Sequence, residues 1–385
     1  GARAGEIASR LFEPRRPRRD REATASPMLR PDPSLDQGCG HGKKIQFGTF
    51  LDCDQGHLDH GYLVLFPYGR SFTGELTAEL WTHGSVAVLQ ELLQAAIAAG
   101  AVAAAPGEFT YRALRNGRLD LARAEAIRDL IEARTRFQAE VAFEQAEGSL
   151  SRRIAPMCDE LEEWIARGEA AVEFVEEAET HLPDGALARA IDATIAKCNE
   201  LVAEYRAGRV VRDGARLVLV GRPNVGKSSL FNRLLEEDRA IVTEVPGTTR
   251  DTLEEDLVLD GIPVRLIDTA GLREVRDAVE REGVSRARRA LEQADLVLLV
   301  LDGSRDLDDL ERETLARAGS ESWVAVTNKT DLPRAEPRPE TLAVSAKTGD
   351  GLVELKTTLR ERLVGAGPLE HPVVTNGRHA AALEA

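Results

Sequence analysis

Aromatic residues make up only 4% of this 385-residue chain, so its cores must be built from Leu, Val and Ala. Cysteine is scarce as well. Cys39, Cys53, Cys158 and Cys198 form no C-x-x-C pair, which excludes a disulfide scaffold and fits a reducing cytosol. Cys39, His41, Cys53, His57 and His60 follow spacings that match no strong zinc pattern, and the segment reads instead as a hairpin around Gly56 and Gly61. No long apolar run is present. The tract Ala95 to Ala105 is interrupted by Gly100 and reaches about half the length that crosses a bilayer, so no membrane span and no signal peptide are read. Net positive charge is missing too: the formal charge of -15 argues against a surface that coats nucleic acid. The best local basic patch is Arg15, Arg16, Arg18, Arg19 and Arg21, whose ordinary reading is a solvated loop around Pro14 and Pro17.

What is present is an ordinary folded composition, 43% hydrophobic and 30% charged, long enough for two or three domains. Residues 1–115 mix short strand-like runs, Gly61 to Tyr68 and Leu76 to Leu80, with helix-like stretches at Gly5 to Leu11 and Ser85 to Ala99, which predicts an α+β domain. From Leu119 the period changes. Leu119, Ala122, Ala126, Leu130, Ala133, Phe137 and Val141 recur at three and four, and periodic segments continue at Leu161 to Val175 and Ala186 to Tyr205, so residues 116–212 are expected to be helical. After Gly208 and Gly214, residues 213–370 alternate apolar runs with charge-rich helical segments. Leu217 to Val220, Val264 to Ile267, Leu296 to Leu301, Trp323 to Thr327 and Leu342 to Val344 predict a mostly parallel sheet covered on both faces.

The most informative run is Gly221 to Ser228, G-R-P-N-V-G-K-S, between a strand and a helix. Backbone N–H groups of Asn224, Val225, Gly226, Ser228 and Ser229, with the Lys227 ammonium, can surround phosphates while the Ser228 hydroxyl holds magnesium. Asp268-Thr269-Ala270-Gly271 follows a strand, so Asp268 can reach magnesium through water and the Gly271 N–H can face a γ-phosphate. Asn328-Lys329-Thr330-Asp331 follows another strand. A carboxylate at Asp331 accepts from the guanine N1 and N2 donors, which adenine would leave unpaired. Ser345, Ala346 and Lys347 supply a short loop beside the base, and Thr249, in Gly247-Thr248-Thr249, can add a second hydroxyl to magnesium. Together these predict GTP binding in an α/β P-loop domain.

The chain resembles the MnmE (TrmE) family of tRNA-modification GTPases. The likeness rests on Ser71 to Glu75, Pro106 to Thr110, Asn116 to Asp120, Gly247 to Asp251 and Asp268 to Glu274, and extends over nearly the whole length. It implies an α/β P-loop GTPase domain, an α+β N-terminal domain that dimerises and takes a one-carbon folate donor, and a helical domain that is incomplete here, with residues 371–385 opening its returning segment. It also implies a cytoplasmic homodimer that hydrolyses GTP with an FAD-containing MnmG-like partner in carboxymethylaminomethyl-type modification of the tRNA wobble uridine. Glu75, Asn116 and Arg118 lie in the matching N-terminal segments and would meet the folate.

Leu272 stands where small signalling GTPases carry a water-orienting glutamine, so another group must act. The resemblance assigns charge compensation to potassium held by Asn224 and by Thr243, Val245 and Thr248 of the first switch, and water orientation to Glu280; Lys227 completes the expected catalytic set. A ribosome-associated or other regulatory GTPase switch remains the alternative, since the nucleotide motifs suit it equally well. The family's strand before Gly1, its last helices and its C-terminal cysteine motif are not in this sequence. None of the four cysteines occupies that motif's place, and an apolar seam is expected on the helical segment.

On this reading, Glu280→Ala lowers GTP turnover by about 100-fold while leaving nucleotide affinity unchanged. Phosphate release and titration with a fluorescent nucleotide read the two quantities, and equal turnover in both proteins removes Glu280 from the mechanism.

Overall fold

The computed structural model describes residues 3–15, 44–173, 185–238, 254–268, 289–317, 322–333, 338–366 and 371–385. The chain divides into two compact units, Gly1–Ala124 and Glu125–Ala385. In the first unit α1 (Ala4–Leu11) runs directly into β1 (Phe12–Pro14), and β2 (Lys44–Leu51), β3 (His57–Phe66) and β4 (Thr77–Trp81) complete an antiparallel sheet in sequence order. Helices α2 (Val86–Ala98) and α3 (Glu108–Arg115) follow. The inward residues of the strands alternate with outward ones, so Phe50, Leu63 and Leu65 join Ala8, Phe12 and Leu92 in one core. Phe12 and Phe50 meet at 5.1 Å between ring centres, a tilted pair that adds to the burial of both.

The second unit holds most of α4 (Leu121–Glu132), then α5 (Arg136–Ala146), α6 (Ser149–Glu173) and α7 (Ala186–Asp213). Its sheet comprises β5 (Ala215–Val220), β6 (Glu254–Leu259), β7 (Ile262–Asp268), β8 (Leu296–Asp302), β9 (Trp323–Asn328) and β10 (Leu342–Ala343), with α8 (Lys227–Asp238), α9 (Asp309–Arg317), α10 (Leu352–Val364) and α11 (Gly377–Glu384) interspersed. The order is β10-β9-β8-β5-β7-β6, parallel except for β6. All seven residues of β8 are buried, as its unbroken apolar run requires of a strand covered on both faces. Leu217, Leu219, Leu298, Val300 and Val326 pack against Leu230, Leu234, Leu355 and Leu359 from α8 and α10. Each such side chain contributes about 1.5–3 kcal/mol of transfer free energy, which makes this core the main stabilising element of the unit.

Three readings of the sequence are corrected. The single period from Leu119 to Val141 is split into α4 and α5, because the Thr135 hydroxyl accepts from the Gln138 N–H and the Gln138 side chain accepts from the Thr135 N–H. That capping box starts a new helix inside a pattern that looks continuous. Gly208 does not lead into a strand: α7 continues to Asp213. Gly61 is not in the turn of the first hairpin, which closes around Asp52 and Gly56, but lies within β3 opposite Gly48. Antiparallel β6 has no counterpart among the expected strands. Its signal is Asp260-Gly261, whose φ angles of 48° and 89° make the tight hairpin into β7.

Leu161, Ile165 and Val172 of α6 and Leu187, Ile191 and Ile195 of α7 are exposed. Among the described residues no helix is long and apolar enough to cross a membrane. At the chain's end, Gln145 donates from Nε2 to the Thr375 hydroxyl at 3.1 Å, and Glu204 accepts from the Val373 N–H at 3.1 Å. The segment before α11 thereby lies along α7, with Val374 fully buried.

A Cβ at Gly208 would meet the Val374 carbonyl oxygen at 2.1 Å. Alanine gains about 1 kcal/mol of helix propensity, but separating two backbones in a filled core costs more. Gly208→Ala is therefore expected to destabilise the protein by about 1–3 kcal/mol net, read as a lower urea midpoint with unchanged slope. A higher midpoint would show that the 371–376 segment yields without cost.

Candidate functional site

The carboxyl ends of β5, β7, β8 and β9 lie side by side, which collects the predicted motifs at one edge of the sheet. From β5 the chain turns through Gly221 to Val225, whose side chain is buried and anchors the loop, and enters α8 at Lys227. Gly226 has φ +96°, and a Cβ there would meet the Asn328 amide nitrogen at 2.2 Å. The loop must therefore carry glycine at this position both for its dihedral and for its contact.

Lys227 is 5% exposed, and its ammonium donates to the carbonyls of Gly221 (2.9 Å) and Arg222 (2.7 Å). The positive charge thus hangs over the loop's own backbone, where the N–H groups of 224–229 create a favourable place for an anion. The Ser228 hydroxyl donates to Asp268 Oδ2 at 3.0 Å, and Asp268, the last residue of β7, is buried. A hydroxyl and a carboxylate at this distance are hard oxygen donors of the kind magnesium selects.

On the other side of the loop, Asn328 ends β9 with a buried side chain. Its Nδ2 donates to the Val225 carbonyl at 2.9 Å and its Oδ1 accepts from the Ala346 N–H at 3.0 Å. One amide thereby ties the phosphate loop to the Ser345-Ala346-Lys347 loop. Ser345 is fully buried and donates from Oγ to Asp331 Oδ1 at 2.9 Å, which leaves the exposed Asp331 carboxylate oriented with its second oxygen available. Lys329, at φ +66°, donates from Nζ to the Asn224 carbonyl (2.7 Å) and to Asp302 Oδ2 (2.6 Å). Lys347 and Ser229 are exposed at the rim.

The structure brings together Gly221, Asn224, Val225, Gly226, Lys227, Ser228, Ser229, Asp268, Asn328, Lys329, Asp331, Ser345, Ala346 and Lys347. Thr243, Val245, Thr248, Thr249, Gly271, Leu272 and Glu280 lie outside the described residues. Asp302 is absent from the expected set, although it follows the apolar run Leu296 to Leu301 as Asp268 follows its own run, at the carboxyl end of a nearby strand. Burial alone would raise its carboxyl pKa, but hydrogen bonds from Lys329 and Ser304 outweigh that and hold it below the usual carboxylate range. In the first unit Glu75 accepts from Arg112 at 3.0 Å, the Asn116 amide donates to the Thr73 carbonyl at 2.7 Å, and the Arg118 stem lies against Gly74. Arg112 and Glu108 are likewise additions to the expected set. Among the described residues no group of three or more His, Cys, Asp or Glu side chains is arranged to hold a metal.

Family comparison matches residues 121–385 to the MnmE helical domain and residues 1–118 to the GTP-binding protein TrmE N-terminus. The tRNA modification GTPase MnmE of Aquifex aeolicus is 43% identical over 325 residues, covering 83% of this chain and 72% of that protein. Its counterpart in Thermus thermophilus is 44% identical, covering 84% and 73%, and that of Geobacter sulfurreducens is 41% identical, covering 87% and 76%. Among solved structures, the G domain of the T. maritima FeoB iron transporter aligns with 38% of this chain and 98% of its own at 28% identity and a TM-score of 0.30, too low a likeness to argue from.

Gly226→Ala forces a methyl group into the Asn328 amide. It is expected to weaken binding of a fluorescent guanine nucleotide by at least about 100-fold, the scale of a misplaced loop, while the far-ultraviolet circular dichroism of the chain is retained. Unaltered affinity would show that the loop opens freely from β9.

Proposed function

The chain belongs to the MnmE (TrmE) family of tRNA-modification GTPases, and from that membership we propose that it hydrolyses GTP as a step in modifying the wobble uridine of tRNA. The observation that carries the reading is the convergence of Lys227, the Ser228–Asp268 pair and the Ser345–Asp331 pair at one sheet edge. A guanine would meet Asp331, whose carboxylate complements N1–H and the exocyclic amine, while the triphosphate would lie along 221–229. To reach the β- and γ-phosphates, the Lys227 ammonium exchanges its two carbonyl acceptors for phosphate oxygens, a change from neutral to charged acceptors.

The donor set fits magnesium: Ser228 would hold it directly and Asp268 through water, with Thr249 as the further expected hydroxyl. When bound, the ion offsets charge on the β- and γ-phosphate oxygens. On the family reading Asn224, at the exposed tip of the loop, would hold a monovalent cation, and Thr243, Val245 and Thr248 are the carbonyls that would complete the site. Leu272 offers no hydrogen bond to water, so orientation of the nucleophile falls to Glu280 on the family reading.

Self-association across the switch segments, a cytoplasmic location, an FAD-containing MnmG-like partner and tRNA held in the joint complex belong to the same proposal. A one-carbon folate would fall to Glu75, Asn116 and Arg118. For Glu75 that requires sharing its carboxylate with Arg112, whose guanidinium already bridges it and Glu108.

With magnesium present and ionic strength held equal, GTP hydrolysis is expected to be at least about tenfold faster in potassium than in sodium, the scale on which one added charge acts on a phosphoryl transition state. Equal slow rates despite tight GTP binding would remove the potassium mechanism, and absence of GTP binding would remove the proposal.

A further inference from the structure

The last residue of β8 and the loop that joins it to α9 contain none of the nucleotide motifs, yet they hold the phosphate loop at two points. Arg222 forms an ion pair with Asp308. Two residues on, the Asn224 carbonyl accepts from Lys329, whose ammonium is in turn held by Asp302. The two ties fall on either side of Pro223, at the exposed tip of the loop.

The holding loop is itself well fixed. Asp302 is 7% exposed, and its Oδ1 accepts from the Ser304 N–H (2.9 Å) and hydroxyl (2.6 Å). Arg338 donates to the carbonyls of Asp302 and Arg305, while buried Glu311 accepts from both terminal nitrogens of Arg305 and from the Asp308 N–H. Asn224 and Lys329 both adopt left-handed backbone conformations, φ +65° and +66°, which asparagine enters readily but which a lysine keeps only at a cost that its surroundings offset. The contact that joins these two residues is the Lys329 ammonium, and the anion that keeps the ammonium there is Asp302.

We propose that Asp302 is a positioning residue of the nucleotide site, fixing the backbone of Asn224 through the Lys329 ammonium and so setting how firmly the loop tip holds the nucleotide and a monovalent cation. The cation half of this statement rests on the reading of Asn224 given above. The physical step is simple. A neutral amide at 302 still accepts from Ser304 but no longer neutralises Lys329, whose side chain is 30% exposed and gains more by turning to water than by staying over a carbonyl. The Asn224 carbonyl then loses its donor, and the tip of the loop is held less firmly.

The test uses the full chain with Asp302→Asn and Asp302→Glu, at a temperature well below the melting of either protein. Release of a fluorescent GDP is followed by stopped flow. Thermal stabilisation of the protein bound to a non-hydrolysable GTP analogue is titrated with potassium against sodium. Asp302→Asn is expected to release the nucleotide about tenfold faster, the worth of one charge-assisted hydrogen bond, and to raise the potassium midpoint. Asp302→Glu, with its charge one methylene further out, falls between the two. In a Lys329→Ala background, Asp302→Asn is expected to add nothing. Release and potassium midpoint unchanged in Asp302→Asn, or a full additional effect in the Lys329→Ala background, overturns the assignment. If Asp302→Asn does not fold, Asp302→Glu with wild-type release overturns it equally. A wild type indifferent to potassium would defeat the reading of Asn224 and leave the release rates to decide on Asp302.

Discussion

Between position 226 and the amide of Asn328 there is no room for a single carbon atom, and most of the second unit follows from that closeness. The phosphate loop has to lie on the end of β9 for one amide to reach both the Val225 carbonyl and the Ala346 N–H. β5 and β9 lie on either side of β8, and β9 runs three residues further than β5 toward the carboxyl edge, so that Asn328 stands beside the loop that follows Val220. Side chains on the strands then have only to fill space. Leu217, Leu219, Leu298 and Val300 do so without polar atoms, and the strand ends carry polar groups: Asp268, Asp302 and Asn328.

Those strand-end residues divide the electrostatics of the site between them. Asp268 faces the Ser228 hydroxyl, Asp302 faces the Lys329 ammonium, and the neutral Asn328 sits between loops where its amide both donates and accepts. The two buried carboxylates are each matched to a donor. Lys227 is likewise satisfied by two carbonyls, so the loop is held in shape by its own backbone.

The nucleotide motifs are legible in the sequence because each is a short run whose chemistry depends on consecutive residues: a glycine-rich turn, a carboxylate at a strand end, an asparagine and an aspartate three apart. Long apolar runs likewise mark the parallel strands. What the sequence conceals depends on residues far apart in the chain or on a reciprocal contact. The α4–α5 break needs the Thr135 and Gln138 side chains to bond each other's backbone, which a three-and-four period hides. Gly208 looks like a helix end, yet its role is to let Val374 approach from more than a hundred residues away. Asp302 carries no motif, and its meaning appears only when Lys329 lies beside it.

The helix α7 is 28 residues long, and a single residue, Gly214, separates its end from β5, which leads straight to the phosphate loop. That end is clamped. Gln138 donates to the carbonyls of Val211 and Arg212, and Arg212 grips Asp129 with two hydrogen bonds. At about 1.5 Å per residue the helix is about 42 Å long from Ala186 to this end. The direction of this long helix and the start of the strand that leads to the phosphates are thus fixed at one place, where α4 and α5 grip the last turn of α7.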